Sequence, residues 1–368
     1  MKKTGYNSKY GKIAEHFREL ILSGEIRSGM RLPTDMEIAR DFNVNNRTAA
    51  KGMAALVADG LITRSPGGGS VVIRNKLRKP ESHAVGVVSM HTGHVYQTMG
   101  AEITEGILKH DLYPTWITQS ILQESEITLN HSRLFRMLEH FVNDCPHGLI
   151  LLGSRFIPYD MLSRNLSKVK NMVFIDYYLH KKELPAKYVL SDFKAGARKI
   201  ANFLHKKGHR RIAVFTDPHS VLEKYGETLN TRLFHNICHY FTSLGGKVDS
   251  KIFTRLLNGE KSEQVLKEEL PGSDITAMVL AYDAQWSLYV EPVIHSMGLK
   301  MPDDLSIVGY YNTPWAEQAN PPLTSVMIHE ERIGKLAVKM LFDEIEETKI
   351  YVKPDLVIRN SVRDLTLK

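Results

Sequence analysis

A cluster of hydrogen-bonding side chains precedes an apolar, helix-like run near the amino end of the chain. Its members are Asn45, Asn46, Arg47, Thr48 and Lys51. At the start of a helix, such side chains can reach base edges and phosphates in the DNA major groove, and asparagine can pair with adenine through two hydrogen bonds. The structural alternative is that Asn45 caps the helix and Arg47 is a solvated charge. As a group, the cluster predicts contact with DNA.

The net charge of +7 is concentrated around this cluster. Residues 1–79 hold 15 Lys/Arg and 7 Asp/Glu, a balance of +8, and the remainder of the 368 residues carries −1. A basic module attached to a near-neutral body is typical of a protein with a polyanionic partner, most simply nucleic acid. Charge alone leaves an acidic membrane surface as an alternative.

Three helix-like segments and a hairpin are predicted to carry these side chains. The first, within residues 9–24, has apolar residues at helical spacing and ends at a glycine. The second begins after Thr34, with Glu37 at the capping-box position. The third covers about residues 46–59, and two short strands around the glycine run 66–70 predict a β-hairpin. The order predicts a winged helix-turn-helix, an α+β module.

Residues 8–73 resemble the winged-helix domain of the GntR family of bacterial regulators. The resemblance is carried by ILSGEIRSGMRLPTDMEIA, NNRTAAKGMAAL, DGLITR and GGGSVV, in that order. It implies that the module binds double-stranded operator DNA. The family usually has Ser-Arg at the positions of Asn45-Asn46 and an arginine at Gly68, which implies an altered operator. Besides the cluster above, the predicted DNA-binding residues are Arg31, Thr34, Arg64 and Gly68.

A basic, proline-containing stretch follows, and it is predicted to connect two domains. The expected division is a DNA-binding domain at 1–75, a linker at 76–83 and an effector-binding domain at 84–368. From His83 onward, strand-like and helix-like segments alternate, which predicts parallel sheets covered by helices on both faces. About 285 residues exceed one comfortable core, so two α/β lobes are expected.

Polar side chains just after the predicted strands are candidates for binding a ligand, because ligands of such sheets bind beyond the carboxyl ends of the strands. Carboxylates that accept from two hydroxyls, together with an arginine that donates a fork of N–H groups, suit a ligand rich in hydroxyls. A tyrosine could stack on a sugar ring. The structural alternative for Asp283 is that it caps a helix. For Asp176 the alternative is an ordinary loop carboxylate. The candidates are His91, Tyr96, Asp176, Arg232, Asp283 and Asn312.

Residues 84–364 resemble the effector-binding domain of the LacI/GalR family, which has the fold of periplasmic sugar-binding proteins. LSDFKAGARKIANFLHKKGHRRIAVF, LKMPDDLSIVGY and NPPLTSVMIHEERIGKLAVKML carry the resemblance. It implies effector contacts by Asp176, Arg232 and Asp283. Two departures stand out: Tyr311-Asn312 replaces an acidic pair of many relatives, and Tyr282 stands where asparagine is frequent.

The same resemblance implies discontinuous lobes. Lobe 1 would comprise about 84–188 and 330–349, and lobe 2 about 189–329 and 350–368. The chain would cross between the lobes near Tyr188, His329 and Ile350.

A GntR-like winged helix joined to a LacI-like body resembles arabinose-responsive repressors. The resemblance implies a cytoplasmic, homodimeric repressor of carbohydrate-utilisation genes, controlled by a small sugar between the lobes, with no cofactor and no metal. A nucleobase or a protein as effector is the first alternative. An enzyme is the second, but the sequence has no P-loop, HExxH, nucleophile elbow or paired glycine fingerprint. No apolar run long enough for a transmembrane helix is present either.

Overall fold

The computed structural model describes residues 8–65, 68–73, 82–89, 93–118, 144–145, 147–153, 171–176, 184–216 and 229–367. The chain divides into two compact units, Met1–Ser82 and His83–Lys368. Most of the predicted linker, residues 76–81, lies outside the described residues.

The amino-terminal unit has three helices followed by a two-stranded antiparallel hairpin. Each helix begins at a residue whose side chain accepts a hydrogen bond from the first turn: Ser8, Thr34 and Asn45. Such caps satisfy backbone N–H groups that have no partner inside the helix. The elements are α1 Lys9–Leu22, α2 Asp35–Asp41, α3 Asn46–Ala58, β1 Ile62–Ser65 and β2 Gly69–Val72.

The core of this unit lies where α1 crosses α3. Ile13, Met53 and Leu56 have no exposed surface, and burial of each is worth about 1.5–3 kcal/mol. A Cβ on Gly52 would lie 2.9 Å from the Ile13 side chain, so glycine permits the close approach of the two helices. Arg18 of α1 also donates from Nε and Nη2 to Asp59 just after α3, at 3.1 and 2.6 Å.

The second unit contains two six-stranded sheets. The first sheet has the order β13-β7-β6-β5-β3-β4, and every pair in it is parallel. Its interior strands are fully buried, apolar runs, as expected for a parallel sheet covered on both faces. Its elements are β3 Ala84–Ser89, α4 His94–Leu108, β4 Tyr113–Thr118, β5 Leu149–Leu152, β6 Met172–Ile175 and β7 Lys187–Ser191, together with β13 below.

The second sheet has the order β14-β12-β11-β10-β8-β9, parallel except for the edge strand β14. Its elements are α5 Phe193–Lys206, β8 Arg211–Phe215, α6 Leu229–Ser243, β9 Lys247–Asp249, α7 Lys251–Leu257, α8 Ser262–Glu269, β10 Ala277–Leu280, a π-helical turn Trp286–Val290 continuing into α9 Glu291–Ser296, β11 Ser306–Tyr310, α10 Pro314–Gln318 and β12 Thr324–Met327. The chain then returns through α11 Glu330–Leu341 and β13 Lys349–Val352 to the first sheet, and ends with β14 Asp355–Val357 in the second.

The chain crosses between the sheets at three places. The chain stays in the first sheet as far as Ser191 and, on its second pass, as far as Val352. Both positions are slightly beyond the crossings expected near Tyr188 and Ile350. The remaining passage lies between Met327 and Glu330, around His329. In each sheet the first strand lies between the second and third along the chain, so both sheets reverse their strand order there. Ligand sites of open α/β sheets lie outside the carboxyl ends of the strands at such a reversal.

Candidate functional site

Asn45 caps the helix that is predicted to read DNA. Its Oδ1 accepts hydrogen bonds from the backbone N–H and from the hydroxyl of Thr48, both at 2.8 Å. The capping alternative therefore describes what the Asn45 carbonyl oxygen does, and Thr48 is held by the same contact. The predicted contacts of both residues with DNA stay predictions.

The other members of the cluster point to solvent. Asn46, Arg47 and Lys51 are exposed. Arg47 and Lys51 are one turn apart, which places them on the same face of α3. The Lys51 ammonium also lies 4.3 Å from the centre of the Tyr10 ring, so α1 helps to position it. The first turns of α3 thus present cationic and amide groups to solvent.

The segment before α2 joins the wing. Arg31 forms an isolated antiparallel bridge with Val71 of β2, and Arg64 of β1 pairs with Ser70 next to it. The Arg64 side chain is also paired with Asp35, Nη2 to Oδ2 at 2.5 Å, at the start of α2. The two arginines therefore lie on segments that flank β2 on its two edges.

Thr34 and Gly68 have clear local roles. Thr34 caps α2 in a full capping box, accepting from the backbone N–H of Glu37 while Glu37 accepts from the backbone N–H of Thr34 at 2.7 Å. That hydrogen bond lowers the pKa of the Glu37 carboxyl. The N–H of Gly68 donates to the Ser65 carbonyl at 3.1 Å in the hairpin turn, and a Cβ on Gly68 would lie 2.1 Å from the Ser65 hydroxyl. Rotation of the Ser65 hydroxyl can relieve that contact, so the turn does not require glycine at this position.

In the second unit, carboxyl ends of strands from both sheets meet at the first crossing. Ser191 ends β7 of the first sheet, and Phe193 begins α5 two residues later. The Phe193 ring stacks on Tyr310, the last residue of β11 in the second sheet, with ring centres 5.5 Å apart. A Cβ on Gly196 would come within 2.5 Å of the Tyr310 hydroxyl, so this helix approaches the strand end closely. Of the predicted effector residues, Asp176 of the first lobe and Asp283 of the second lie near Tyr310 at this crossing.

Asp176 holds the ends of two neighbouring strands together. It follows β6, and its carboxylate accepts from the Ser191 backbone N–H at 2.6 Å and from the Ser191 hydroxyl at 2.8 Å. Burial raises the pKa of Asp176 to about 6, although the two hydrogen bonds oppose the shift. Its predicted contact with an effector stays a prediction, and the structure gives the carboxylate a structural partner.

Asp283 plays the same part in the second sheet. Its Oδ1 accepts from the Ser325 hydroxyl at 2.6 Å, and its Oδ2 accepts from the Thr313 backbone N–H and hydroxyl at 2.7 and 3.1 Å. A Cβ on Gly309 would lie 2.0 Å from Oδ1, so glycine leaves room for the carboxylate. Asp283 is fully buried, and burial raises its pKa to about 7. Its side chain ties β10, β12 and the start of α10 together, which differs from the helix cap that the sequence also allows.

Aromatic rings surround Asp283 at the strand ends. The rings of Tyr282 and Tyr311 meet edge to face with their centres 5.8 Å apart, and Tyr311 meets Tyr310 in the same way at 5.1 Å. Asn312 follows, with its backbone N–H donating to Ser325 Oγ at 3.0 Å. Among the described residues, the buried Oδ1 of Asn312 has no hydrogen-bond partner.

The remaining predicted effector residues are less closely associated with this cluster. Arg232 is half-buried in the first turn of α6, and Tyr96 is half-buried in the first turn of α4, against the core. His91 lies outside the described residues. Sequence reasoning missed the hydroxyl partners Ser191 and Ser325, which are ordinary strand residues with no local signal.

Metal and thiol chemistry find little support in the described part of the chain. Its histidine, cysteine, aspartate and glutamate side chains form no group of three that could hold a metal ion. Cys145 and Cys238 are free, and burial raises their pKa values to about 12 and about 11, which keeps both as thiols. No described helix is long and apolar enough to cross a membrane.

Two family profiles match the chain. Residues 9–72 match the family of bacterial regulatory proteins called the gntR family, and residues 201–362 match the periplasmic binding protein-like domain. The arabinose metabolism transcriptional repressor of Geobacillus stearothermophilus is 25% identical over 378 residues, covering 97% of this chain and 98% of the relative. The transcriptional repressor CytR of Escherichia coli K12 is 23% identical over 330 residues, covering 79% of this chain and 90% of the relative.

Solved structures share the fold of the second unit. The regulator CelR in complex with cellobiose has a TM-score of 0.60 at 20% identity, covering 90% of this chain and 100% of that one. The LacI family regulator CCPA from Weissella paramesenteroides with bound sucrose has a TM-score of 0.60 at 20% identity, covering 77% of this chain and 99% of that one.

A gntR-type winged helix-turn-helix joined to a periplasmic-binding-protein-like domain is the architecture of a DNA-binding transcriptional regulator. The protein is such a regulator and not an enzyme, because the relatives that match both of its parts are transcriptional repressors. The predicted fold class, a winged helix-turn-helix followed by a two-lobed domain with parallel sheets, is confirmed.

Proposed function

We propose that the protein is a homodimeric repressor of carbohydrate-utilisation genes whose affinity for its operator is controlled by a small sugar bound between the two lobes of the second unit. The observation that carries the proposal is the similarity to an arabinose metabolism repressor along 97% of the chain, which includes both the DNA-reading and the sensing parts. Fold relatives that hold cellobiose and sucrose support the choice of ligand class.

The proposal assigns residues 1–75 to DNA binding, 76–83 to a linker and 84–368 to sensing. DNA would be contacted by α3 and the wing, through the residues predicted above. Because α3 and the wing present several cations, phosphate contacts should dominate affinity and make it fall steeply with added salt. The protein would act in the cytoplasm, where its operator lies.

A sugar between the lobes would act by changing how the lobes are disposed about the crossings. In a dimer, this shifts the spacing of two winged helices relative to two half-sites, so ligand and operator affect each other's affinity. A lac repressor dimer bound to its operator is among the fold relatives, which supports the dimeric form.

The test is binding of the purified full chain to fragments of the DNA upstream of its own gene, with and without pentoses and hexoses. We expect nanomolar binding that weakens with salt and changes by roughly fivefold or more with one sugar. A flat response to salt contradicts the DNA role, and indifference to every sugar contradicts the sugar effector. Size-exclusion chromatography with light scattering tests the dimer.

A further inference from the structure

Two tyrosines form an aromatic surface at the carboxyl ends of neighbouring strands in the second lobe. Tyr282 follows β10, Tyr311 follows β11, and their half-buried rings meet edge to face at 5.8 Å. Tyr311 is held at a φ of 87°, a conformation that is costly for a tyrosine and is kept only where the surroundings impose it. Together with Asn312, we call this surface the tyrosine wall.

The carboxylate beside the tyrosine wall is already engaged. Both oxygens of Asp283 accept hydrogen bonds from Thr313 and Ser325, and its side chain has no exposed surface. Asp176, on the first lobe, is engaged by Ser191 in the same manner. Both carboxyl groups are also buried, so their remaining lone pairs are not presented to ligand hydroxyls. What the described part of this wall offers is two aromatic rings and one buried amide oxygen, Oδ1 of Asn312, with no described partner.

We infer that the effector carries a flat ring that packs on the tyrosine wall, joined to a hydroxylated part, as in a nucleoside or an aryl glycoside. The inference rests on the proposed function, since it concerns the ligand of the same site. A free monosaccharide has hydroxyls around its ring and needs a partner for each one that it buries. A planar ring loses no hydrogen bond against a tyrosine and gains both stacking and buried apolar area. A ring N–H or an adjoining hydroxyl can donate to the Asn312 oxygen.

The experiment compares matched pairs of probes by isothermal titration calorimetry on the full chain. The pairs are D-ribose with uridine, and D-xylose with 4-nitrophenyl β-D-xylopyranoside. We expect at least one planar-ring member to bind roughly tenfold or more tightly than its parent sugar, the usual effect of stacking one ring on an aromatic side chain. A gain for uridine alone identifies a nucleoside site, and a gain for the nitrophenyl glycoside alone identifies an aryl glycoside site.

Substitutions then connect the gain to the tyrosine wall. Tyr311→Ala should abolish the preference for the planar ring, whereas Tyr311→Phe, which keeps the ring face, should retain it. Tyr351→Ala is the matched control, because Tyr351 is an exposed tyrosine on the first sheet. Near-ultraviolet circular dichroism of each variant verifies that it is folded.

Three results would overturn the inference: parent sugars that bind as tightly as their planar-ring partners, a preference that survives Tyr311→Ala, or no binding by any probe. If a free sugar changes the affinity for DNA and the planar ring adds nothing, the proposed function stands and the inference alone fails. If none of the four probes and no monosaccharide alters DNA binding, the sugar-controlled function fails with it.

Discussion

Replacing Asp283 with asparagine tests whether this carboxyl group is protonated in the folded protein near neutral pH. Burial raises its pKa from 3.8 to about 7, so between these values the folded state holds a proton that the unfolded chain has lost. The protonated carboxyl group therefore makes its full contribution to the free energy of unfolding below pH 4. This contribution is lost as the pH rises toward 7. The loss is about 1.4 kcal/mol per pH unit, or roughly 4 kcal/mol over the whole interval.

Asparagine has nearly the same shape and cannot ionise. Its oxygen can accept from the Thr313 N–H, and its amide nitrogen can donate to the Ser325 hydroxyl, which is able to accept. At pH 5 we expect Asp283→Asn to cost no more than about 2 kcal/mol, because the hydrogen bonds are rearranged rather than lost. Between pH 5 and pH 8 the variant should gain on the native protein by about 3 kcal/mol, since only the native side chain gives up its proton.

The assay is urea unfolding at pH 5 and pH 8, at one ionic strength, followed by tryptophan fluorescence. Trp286 is fully buried three residues after Asp283, and Trp315 lies two residues after Thr313, so two of the three tryptophans report on the second lobe, whereas Trp116 reports on the first. Asp274→Asn is the control, because the Asp274 side chain is 89% exposed in the same lobe. If native and variant curves shift equally between the two pH values, Asp283 is ionised at pH 5 and the reasoning is refuted.

Four further substitutions have definite expectations. Tyr310→Phe removes a buried hydroxyl that has no partner among the described residues, so thermal denaturation should show equal stability or a gain of up to about 1 kcal/mol. Gly196→Ala places a methyl group 2.5 Å from that hydroxyl and should lower the free energy of unfolding by about 1–3 kcal/mol. The loss should be smaller when Tyr310→Phe is also present. Additive effects of the two substitutions would contradict the contact. Asn45→Ala removes the α3 cap and should lower the stability of the amino-terminal unit by about 1 kcal/mol in urea unfolding. Arg64→Ala should reduce the slope of log affinity for DNA against log salt by about 1 if Arg64 binds a phosphate, and an unchanged slope would leave it as the partner of Asp35 alone.

The winged helix could be predicted almost completely from the sequence because its signals are local. The Thr34–Glu37 capping box, the glycines after the helices and the glycine turn of the wing each fix a boundary within a few residues. Thus α3 was expected at about 46–59 and is found at Asn46–Ala58. The pairing of Arg64 with Asp35 could not be predicted, because it joins residues 29 positions apart.

In the second unit, the buried strands were predictable and their arrangement was not. Uninterrupted apolar runs such as Leu149–Leu152 and Ala277–Leu280 indicate strands covered on both faces. The three-residue strands β9 and β14 are too short to give a pattern, and Trp286–Val290 forms a π-helical turn where the sequence indicated an ordinary helix. The sequence HSRLFRMLEHFVN also predicts a helix, over residues 131–143, and these residues lie outside the described part of the chain.

The candidate site was predicted by residue type and position but not by partner. Aspartates after strands mark the ends of parallel strands reliably, and Asp176 and Asp283 do lie there. Their hydrogen-bond donors come from 15, 30 and 42 positions away, on strands whose neighbours only the folded sheet defines. A hydroxyl within an apolar strand gives no sign that it will face a carboxylate, so the structural use of both aspartates stayed hidden.

The structural role of Asp283 limits how ligand specificity can vary on this scaffold. Truncation of the Asp283 side chain would leave the Thr313 N–H and the Ser325 hydroxyl without their acceptor, so folding constrains this position to a residue that can accept there, such as aspartate or asparagine. Its neighbours Tyr282 and Tyr311 are half-buried at the same strand ends, and their rings meet edge to face. A carboxylate or amide at these two positions would convert an aromatic surface into one that binds hydroxyls. The identity of residues 282 and 311, more than that of Asp283, should decide which effector the protein senses.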